Sequence, residues 1–112
     1  MCGRYVSDVL ALRQEFTRDL RHRVFRNYPE ILAFQDDTSG LPAIWLFTQP
    51  SHPAHPAVAC RKLSEAEGGW ASDMALFCRA DAAACARLEQ EAWSFGQARD
   101  PGPIPPASPK QP

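Results

Sequence analysis

Two pairs of short apolar segments stand out along the chain, and residues that favour turns separate the members of each pair. The first pair flanks Asp37-Thr-Ser-Gly40, and the second flanks a stretch that contains Gly68-Gly69. Apolar and β-branched segments joined in this way are typical of β-hairpins. The sequence therefore predicts two hairpins whose four strands are 30–36, 41–48, 57–63 and 70–78.

Helical periodicity appears on both sides of these hairpins. Ser7 is a predicted N-cap for a helix over 7–22, with an apolar stripe that is interrupted at Arg13. Asp81 is the predicted N-cap of a second helix that runs to about Ser94, with Gly96 just beyond its end. The second stripe comprises Cys85, Leu88, Ala92 and Phe95.

The order of helix, four strands and helix predicts an α+β fold: a small antiparallel sheet of about four strands with the N-terminal and C-terminal helices packed on one face. With 112 residues in all, the chain is expected to form one domain over 1–100. Residues 101–112 hold six of the eleven prolines and are expected to form a disordered or polyproline-II tail. Its Pro103 and Pro106 form a P-x-x-P spacing, which docks on aromatic grooves in some proteins but also occurs in solvated tails without a partner.

Charge and hydropathy limit the classes of function and the cellular compartments that fit this sequence. The formal net charge of −1 argues against a protein that binds polyanions through its overall charge. No apolar run approaches the roughly 18–20 residues that a membrane span needs, and the usual secretory signal is missing. A cytoplasmic location is therefore expected, although the even number of four cysteines keeps a periplasmic or secreted protein open if the true start lies elsewhere.

The cysteines differ in what they can pair with. Cys78 ends a predicted strand and Cys85 lies in the first turn of the next helix, so the two are candidates for a disulfide, with reduced thiols as the alternative. If Leu63 faces Trp70, position 73 lies opposite Cys60, and Cys78 is about 17 Å away along the strand. Cys60 is therefore predicted to be a small buried hydrophobic residue.

One dense cationic run is the candidate interaction surface. It could contact a protein partner, or phosphates with stacking on the nearby aromatic rings. Glu15 and Asp19 are spaced to pair with some of these arginines along a helix, which would give an internally neutralised, solvated face instead. The candidate interaction residues are Arg18, Arg21, Arg23, Arg26 and Tyr28.

Metal and cofactor motifs are weak in this sequence. His52 and His55, together with Cys78 and Cys85, are the residue types of a Cys2His2 zinc site. A six-residue spacer between the cysteines, however, does not preorient them as a zinc knuckle does. Phosphate-loop, nucleophile-elbow, zincin and dinucleotide-binding motifs do not occur. We therefore predict no metal and no cofactor.

The N-terminus offers the one candidate nucleophile. If Met1 is removed, Cys2 carries an α-amine and a thiol on neighbouring carbons, which can form an imine with an aldehyde and close it to a thiazolidine. Met1-Cys2-Gly3-Arg4-Tyr5 resembles the opening of the SOS-response-associated peptidase (SRAP) family. The resemblance implies that Cys2 would crosslink abasic sites in single-stranded DNA. The later Asn-Ala-Arg-x-Glu-type and Trp-Glu segments and the catalytic histidine context of that family have no counterpart here, and the chain has about half the length of such a domain.

Taken together, the sequence predicts a small, non-enzymatic interaction or binding module that acts through contact with another protein. Two alternatives stay open: an SRAP-like crosslinker that uses Cys2, and a small exported protein held by a disulfide between Cys78 and Cys85. A nucleic-acid partner is possible but not favoured by the charge.

Overall fold

The computed structural model describes residues 2, 4–19, 22–36, 42–66 and 69–95. One helix precedes a five-stranded antiparallel sheet and a second helix follows it. The elements in chain order are α1 (Val9–Arg18), β1 (His22–Asn27), β2 (Ile31–Asp36), β3 (Ala43–Thr48), β4 (Val58–Ala66), β5 (Gly69–Phe77) and α2 (Ala82–Ser94).

Each strand of the sheet lies beside its neighbour in sequence, in the order β1-β2-β3-β4-β5. In the three central strands, Trp45 of β3 lies opposite Phe34 of β2 on one side and opposite Cys60 of β4 on the other. The first predicted hairpin corresponds to β2 and β3, and the second to β4 and β5. The α+β class and the antiparallel sheet are therefore confirmed.

Strand β1 is the element that the sequence analysis did not predict. The first helix ends at Arg18, and the chain then enters a strand that pairs with β2. Its pairing contains an irregularity between Val24 and Arg26. The sheet accordingly has five strands rather than four.

The two helices cover opposite faces of the sheet, whereas the sequence analysis placed them on one face. Alternate residues along β2, β3 and β4 point to opposite sides, and both sides are buried. The face under α1 contains Leu32, Phe34, Trp45, Phe47, Val58 and Cys60 together with Val9, Leu12 and Phe16 of the helix. The face under α2 contains Ile31, Ala33, Ile44, Leu46 and Ala59 together with Ala84, Leu88, Ala92 and Phe95.

Helix caps explain where the helices begin. Helix α1 is capped by Asp8 rather than Ser7, because the Asp8 carboxylate accepts hydrogen bonds from the backbone N–H groups of Leu10 and Ala11. At α2 the prediction is confirmed: the Asp81 carboxylate accepts from Ala84 N–H.

The register of the second hairpin differs from the predicted one by two residues. Ser72, rather than Trp70, lies opposite Leu63, and Ala75 lies opposite Cys60. Because the shift is an even number of residues, each side chain keeps its face of the sheet. Met74, Leu76 and Cys78 accordingly pack on the face under α2.

Candidate functional site

The four cysteines form two pairs at disulfide distance. Cys78 pairs with Cys85, with a Cα separation of 5.9 Å, as the sequence analysis proposed. Cys2 pairs with Cys60, with a Cα separation of 6.4 Å. The prediction that Cys60 is only a small buried hydrophobic residue is wrong: Cys60 is fully buried, but the face it occupies is the one that α1 and the N-terminal segment cover.

Cys2 therefore has no free thiol in this structure. Its Sγ is bonded to the Sγ of Cys60, while a crosslinking cysteine must present a thiol or thiolate. The SRAP-like hypothesis stays a prediction that requires the Cys2–Cys60 bond to be reduced.

The predicted basic segment is distributed over three elements. Arg18 ends α1, Arg26 is half-buried on β1, and Tyr28 lies in the β1–β2 turn. Arg21 and the side chain of Arg23 lie outside the described part of the chain. Of the described members, Tyr28 is the one whose large aromatic side chain remains 44% exposed.

Several hydrogen bonds hold the turn that carries Tyr28. Its N–H donates to the Ile31 carbonyl at 2.8 Å, which closes the turn. From the connector between β3 and β4, the Gln49 side-chain amide donates to the Tyr28 carbonyl, and the Ser51 hydroxyl donates to the Pro29 carbonyl. The backbone beneath the tyrosine ring is therefore fixed from two sides.

The end of α2 is held by a buried arginine that sequence reasoning missed. Arg61 is 2% exposed, and its Nη1 donates to the carbonyls of Ala92 and Trp93 at 3.2 Å and also to the Phe95 carbonyl. These carbonyls are among the last of the helix, where the backbone lacks intrahelical donors and the dipole favours a cation. Burial lowers the pKa of the Arg61 guanidinium, and its Nε–H also donates to the Ser72 hydroxyl.

This arginine also supports an aromatic surface. Its guanidinium carbon lies 5.5 Å from the ring centroid of Trp93, which is 41% exposed. Two residues further on, the buried ring of Phe95 meets the ring of Tyr28 edge-on, with 5.8 Å between centroids. We call the surface made by Tyr28, Trp93 and Phe95 the aromatic patch.

A chain of polar contacts connects α2 with the connector and with the β1–β2 turn. The Ala54 N–H donates to His52 Nδ1, so the proton of this ring is assigned to Nε2, which donates to a Glu91 carboxylate oxygen at 2.7 Å. Glu91 also accepts from Arg87, and Arg87 in turn pairs with Glu30. The hydrogen bond to Glu91 raises the pKa of Arg87.

The two connector histidines do not form a metal site with the cysteines. His52 contacts α2, whereas His55 contacts Thr48, and Cys78 and Cys85 are bonded to each other. Within the described ranges, no group of three or more histidine, cysteine or acidic side chains is arranged to hold a metal ion.

Neither of the described helices is long and apolar enough to cross a membrane. The chain matches no protein-family model, no curated protein and no solved structure.

Proposed function

We propose that the chain is a non-catalytic binding domain that contacts another protein through the aromatic patch. The observation that carries the proposal is the exposure of two aromatic side chains near the end of α2: Tyr28, whose ring meets Phe95, and Trp93, which is held by the same Arg61 that binds the Phe95 carbonyl. Tryptophan, tyrosine and arginine are the residue types that dominate the binding energy of protein interfaces. Isolated exposed apolar side chains are common on protein surfaces. Here Arg61 binds the carbonyls of both Trp93 and Phe95, and Phe95 in turn contacts Tyr28.

Preorganisation is the second argument for this surface. Binding becomes weaker when side chains and loops must be ordered on contact. Here the turn under Tyr28 is held by hydrogen bonds from Gln49 and Ser51, and the end of the helix under Trp93 is held by Arg61. A partner would meet two aromatic rings whose backbones are already fixed.

Charged side chains beside the patch give it a polar border. Arg87 and Glu30 pair with each other, and each side chain is about two-fifths exposed, at 43% and 38%. A polar, accessible border around an aromatic centre is the usual organisation of a protein interface. Arg18, Arg21, Arg23 and Arg26 stay predicted interaction residues.

The cysteine pairs favour an oxidising compartment over the cytoplasm that the sequence analysis expected. All four cysteines are paired, and stable disulfides persist mainly in extracellular, periplasmic or secretory environments. In cells that naturally make the protein, we expect every cysteine to resist alkylation until a reductant is added. Four alkylated cysteines without reductant would contradict this part of the proposal.

Site-specific photocrosslinking tests the patch. We would place p-benzoylphenylalanine at position 28 and, in a matched variant, at position 5, because Tyr5 is an even more exposed tyrosine at 89%. We expect a discrete crosslinked protein from position 28 and none from position 5. The crosslink at position 28 should disappear when Trp93→Ala is added.

The control separates a defined interface from general stickiness. Equal crosslinking from both positions would mean that any exposed aromatic group captures neighbouring proteins, and absence of a crosslink at position 28 would remove the patch as an interface. Circular dichroism of the Trp93→Ala variant verifies that the loss does not reflect unfolding.

A further inference from the structure

A cleft that shares no residue with the aromatic patch is a second candidate site. It has a volume of about 450 Å³ and lies between the start of α1, the connector and the end of β5. This volume falls in the range of about 300–1,000 Å³ that small-molecule sites occupy. Its lining includes the apolar residues Val9, Leu10, Pro56 and Phe77 and the polar residues His55 and Arg79.

His55 is held in one orientation at this cleft. Its Nδ1 lies 3.1 Å from the Thr48 carbonyl oxygen and 2.9 Å from the Thr48 hydroxyl. A carbonyl oxygen only accepts hydrogen bonds, so we assign the proton to Nδ1. The Thr48 hydroxyl donates to the Ala57 carbonyl, which agrees with this assignment. The structure shows no hydrogen bond to His55 Nε2 within its described ranges, and this nitrogen is therefore available to a ligand.

Arg79 supplies a positive charge at the same cleft. Its guanidinium carbon lies 5.2 Å from the ring centroid of Phe77, so the cation lies over an apolar wall. No carboxylate of the described residues forms an ion pair with it. Asp8 also lines the cleft, but its Oδ1 accepts the two N–H groups that it caps at the start of α1.

We propose that this cleft binds a small organic anion that consists of a carboxylate attached to an apolar body. The guanidinium of Arg79 matches a carboxylate in charge and in geometry, and His55 Nε2 offers a second polar contact. Val9, Leu10 and Phe77 take the apolar body out of water, which is the main favourable term for such a ligand. This site is separate from the aromatic patch and does not depend on the proposed protein partner.

Three probes with the same apolar tail test the proposal: octanoate, octanol and octylamine. The oxidised full-length chain is titrated with each probe below its micelle concentration, and backbone amide shifts are followed by NMR. We expect saturable octanoate shifts that are confined to cleft residues such as Leu10, Ala54 and Ala80. Octanol should bind about tenfold more weakly, which corresponds to the loss of one charged contact, and octylamine should not bind.

Two variants that each remove one cation provide the comparison. Arg79→Gln should weaken octanoate binding about tenfold and leave octanol binding unchanged. Lys62→Gln, which removes a cation of β4 outside the cleft lining, should change neither. Equal binding of all three probes, shifts that do not saturate, or full octanoate affinity in Arg79→Gln would each overturn the proposal.

Discussion

The two faces of the sheet bury different kinds of side chain. Under α1, the ring of Phe16 lies 5.1–5.5 Å from the rings of Phe34, Trp45 and Phe47, and all four side chains are buried. Under α2, much of the buried surface is alanine, and two polar side chains, His52 and Arg61, are almost fully buried. One face is filled by large rings, and the other is connected by hydrogen bonds.

This difference indicates that the two faces contribute differently to stability and to the positioning of the helices. Burial of large aromatic side chains is non-directional and supplies much of the stability of a small domain. Hydrogen bonds contribute less to stability but fix orientation. We therefore expect the α1 face to dominate the free energy of unfolding, while the contacts of Arg61 and His52 set the position of α2 and hence of the aromatic patch.

Truncation of one core side chain on each face compares their contributions most directly. Phe16 and Leu88 are both fully buried, and large-to-alanine changes cost about 3–5 kcal/mol for Phe and about 2–5 kcal/mol for Leu. We expect Phe16→Ala to lose more stability than Leu88→Ala, because three rings surround the cavity that it leaves. Urea unfolding of both variants measures the difference. A larger loss for Leu88→Ala would reverse the proposed ranking of the faces.

Removal of each disulfide should show a similar asymmetry. The Cys2–Cys60 bond joins residues 58 apart, whereas the Cys78–Cys85 bond joins residues 7 apart. If a disulfide stabilises the protein by lowering the entropy of the unfolded chain, the bond that closes the longer loop contributes about 4 kcal/mol to the unfolding free energy and the bond that closes the shorter loop about 2 kcal/mol. The double variants Cys2→Ala/Cys60→Ala and Cys78→Ala/Cys85→Ala should therefore differ by about 2 kcal/mol in unfolding free energy. Equal losses would show that loop length does not govern stability here.

Local signals were sufficient to predict the second half of the fold. The Asp81 cap and the spacing of Leu88 and Ala92 predicted α2, because an N-cap and a 3.6-residue period are properties of neighbouring residues. The hairpins were predicted for the same reason. Their exact register was not, since Glu65 rather than Leu63 lies opposite Trp70, and the turn signal spread over several residues.

The sequence did not predict the features that depend on contacts between residues far apart in the chain. Strand β1 carries charged residues at Arg23 and Arg26, and it forms a strand because β2 offers a partner. The pairing of Cys2 with Cys60 requires α1 and the N-terminal segment to cover the face that contains Cys60, which no local spacing indicates.

One available signal did bear on the helix placement. Five consecutive residues of β3, from Ala43 to Phe47, are apolar, and a continuous apolar strand indicates burial on both faces. Two helices on opposite faces meet that requirement. The buried contacts of Arg61 gave no comparable signal, because a lysine or arginine on a strand ordinarily reads as a solvent-facing residue.

The smallest expected loss of stability comes from removing the polar side chains that orient α2. A buried arginine and an exposed arginine can be compared, which distinguishes the effect of a buried hydrogen-bond donor from that of a surface charge. Arg61→Met removes a buried donor that serves three carbonyls, and we expect a loss of about 2 kcal/mol that changes little with salt. Arg87→Met removes an exposed cation from its pairs with Glu30 and Glu91, and its loss of stability should be smaller than that of Arg61→Met and should fall as salt is added. Urea unfolding at low and high ionic strength measures both losses, and the NMR signal of the Trp93 indole N–H, assigned by its absence in Trp93→Phe, reports whether Trp93 is displaced. Because Arg61 fixes the helix end beneath the aromatic patch, an Arg61→Met variant that keeps both its stability and its Trp93 signal would show that α2 is positioned by apolar packing alone, and the proposed difference between the two faces would then be wrong.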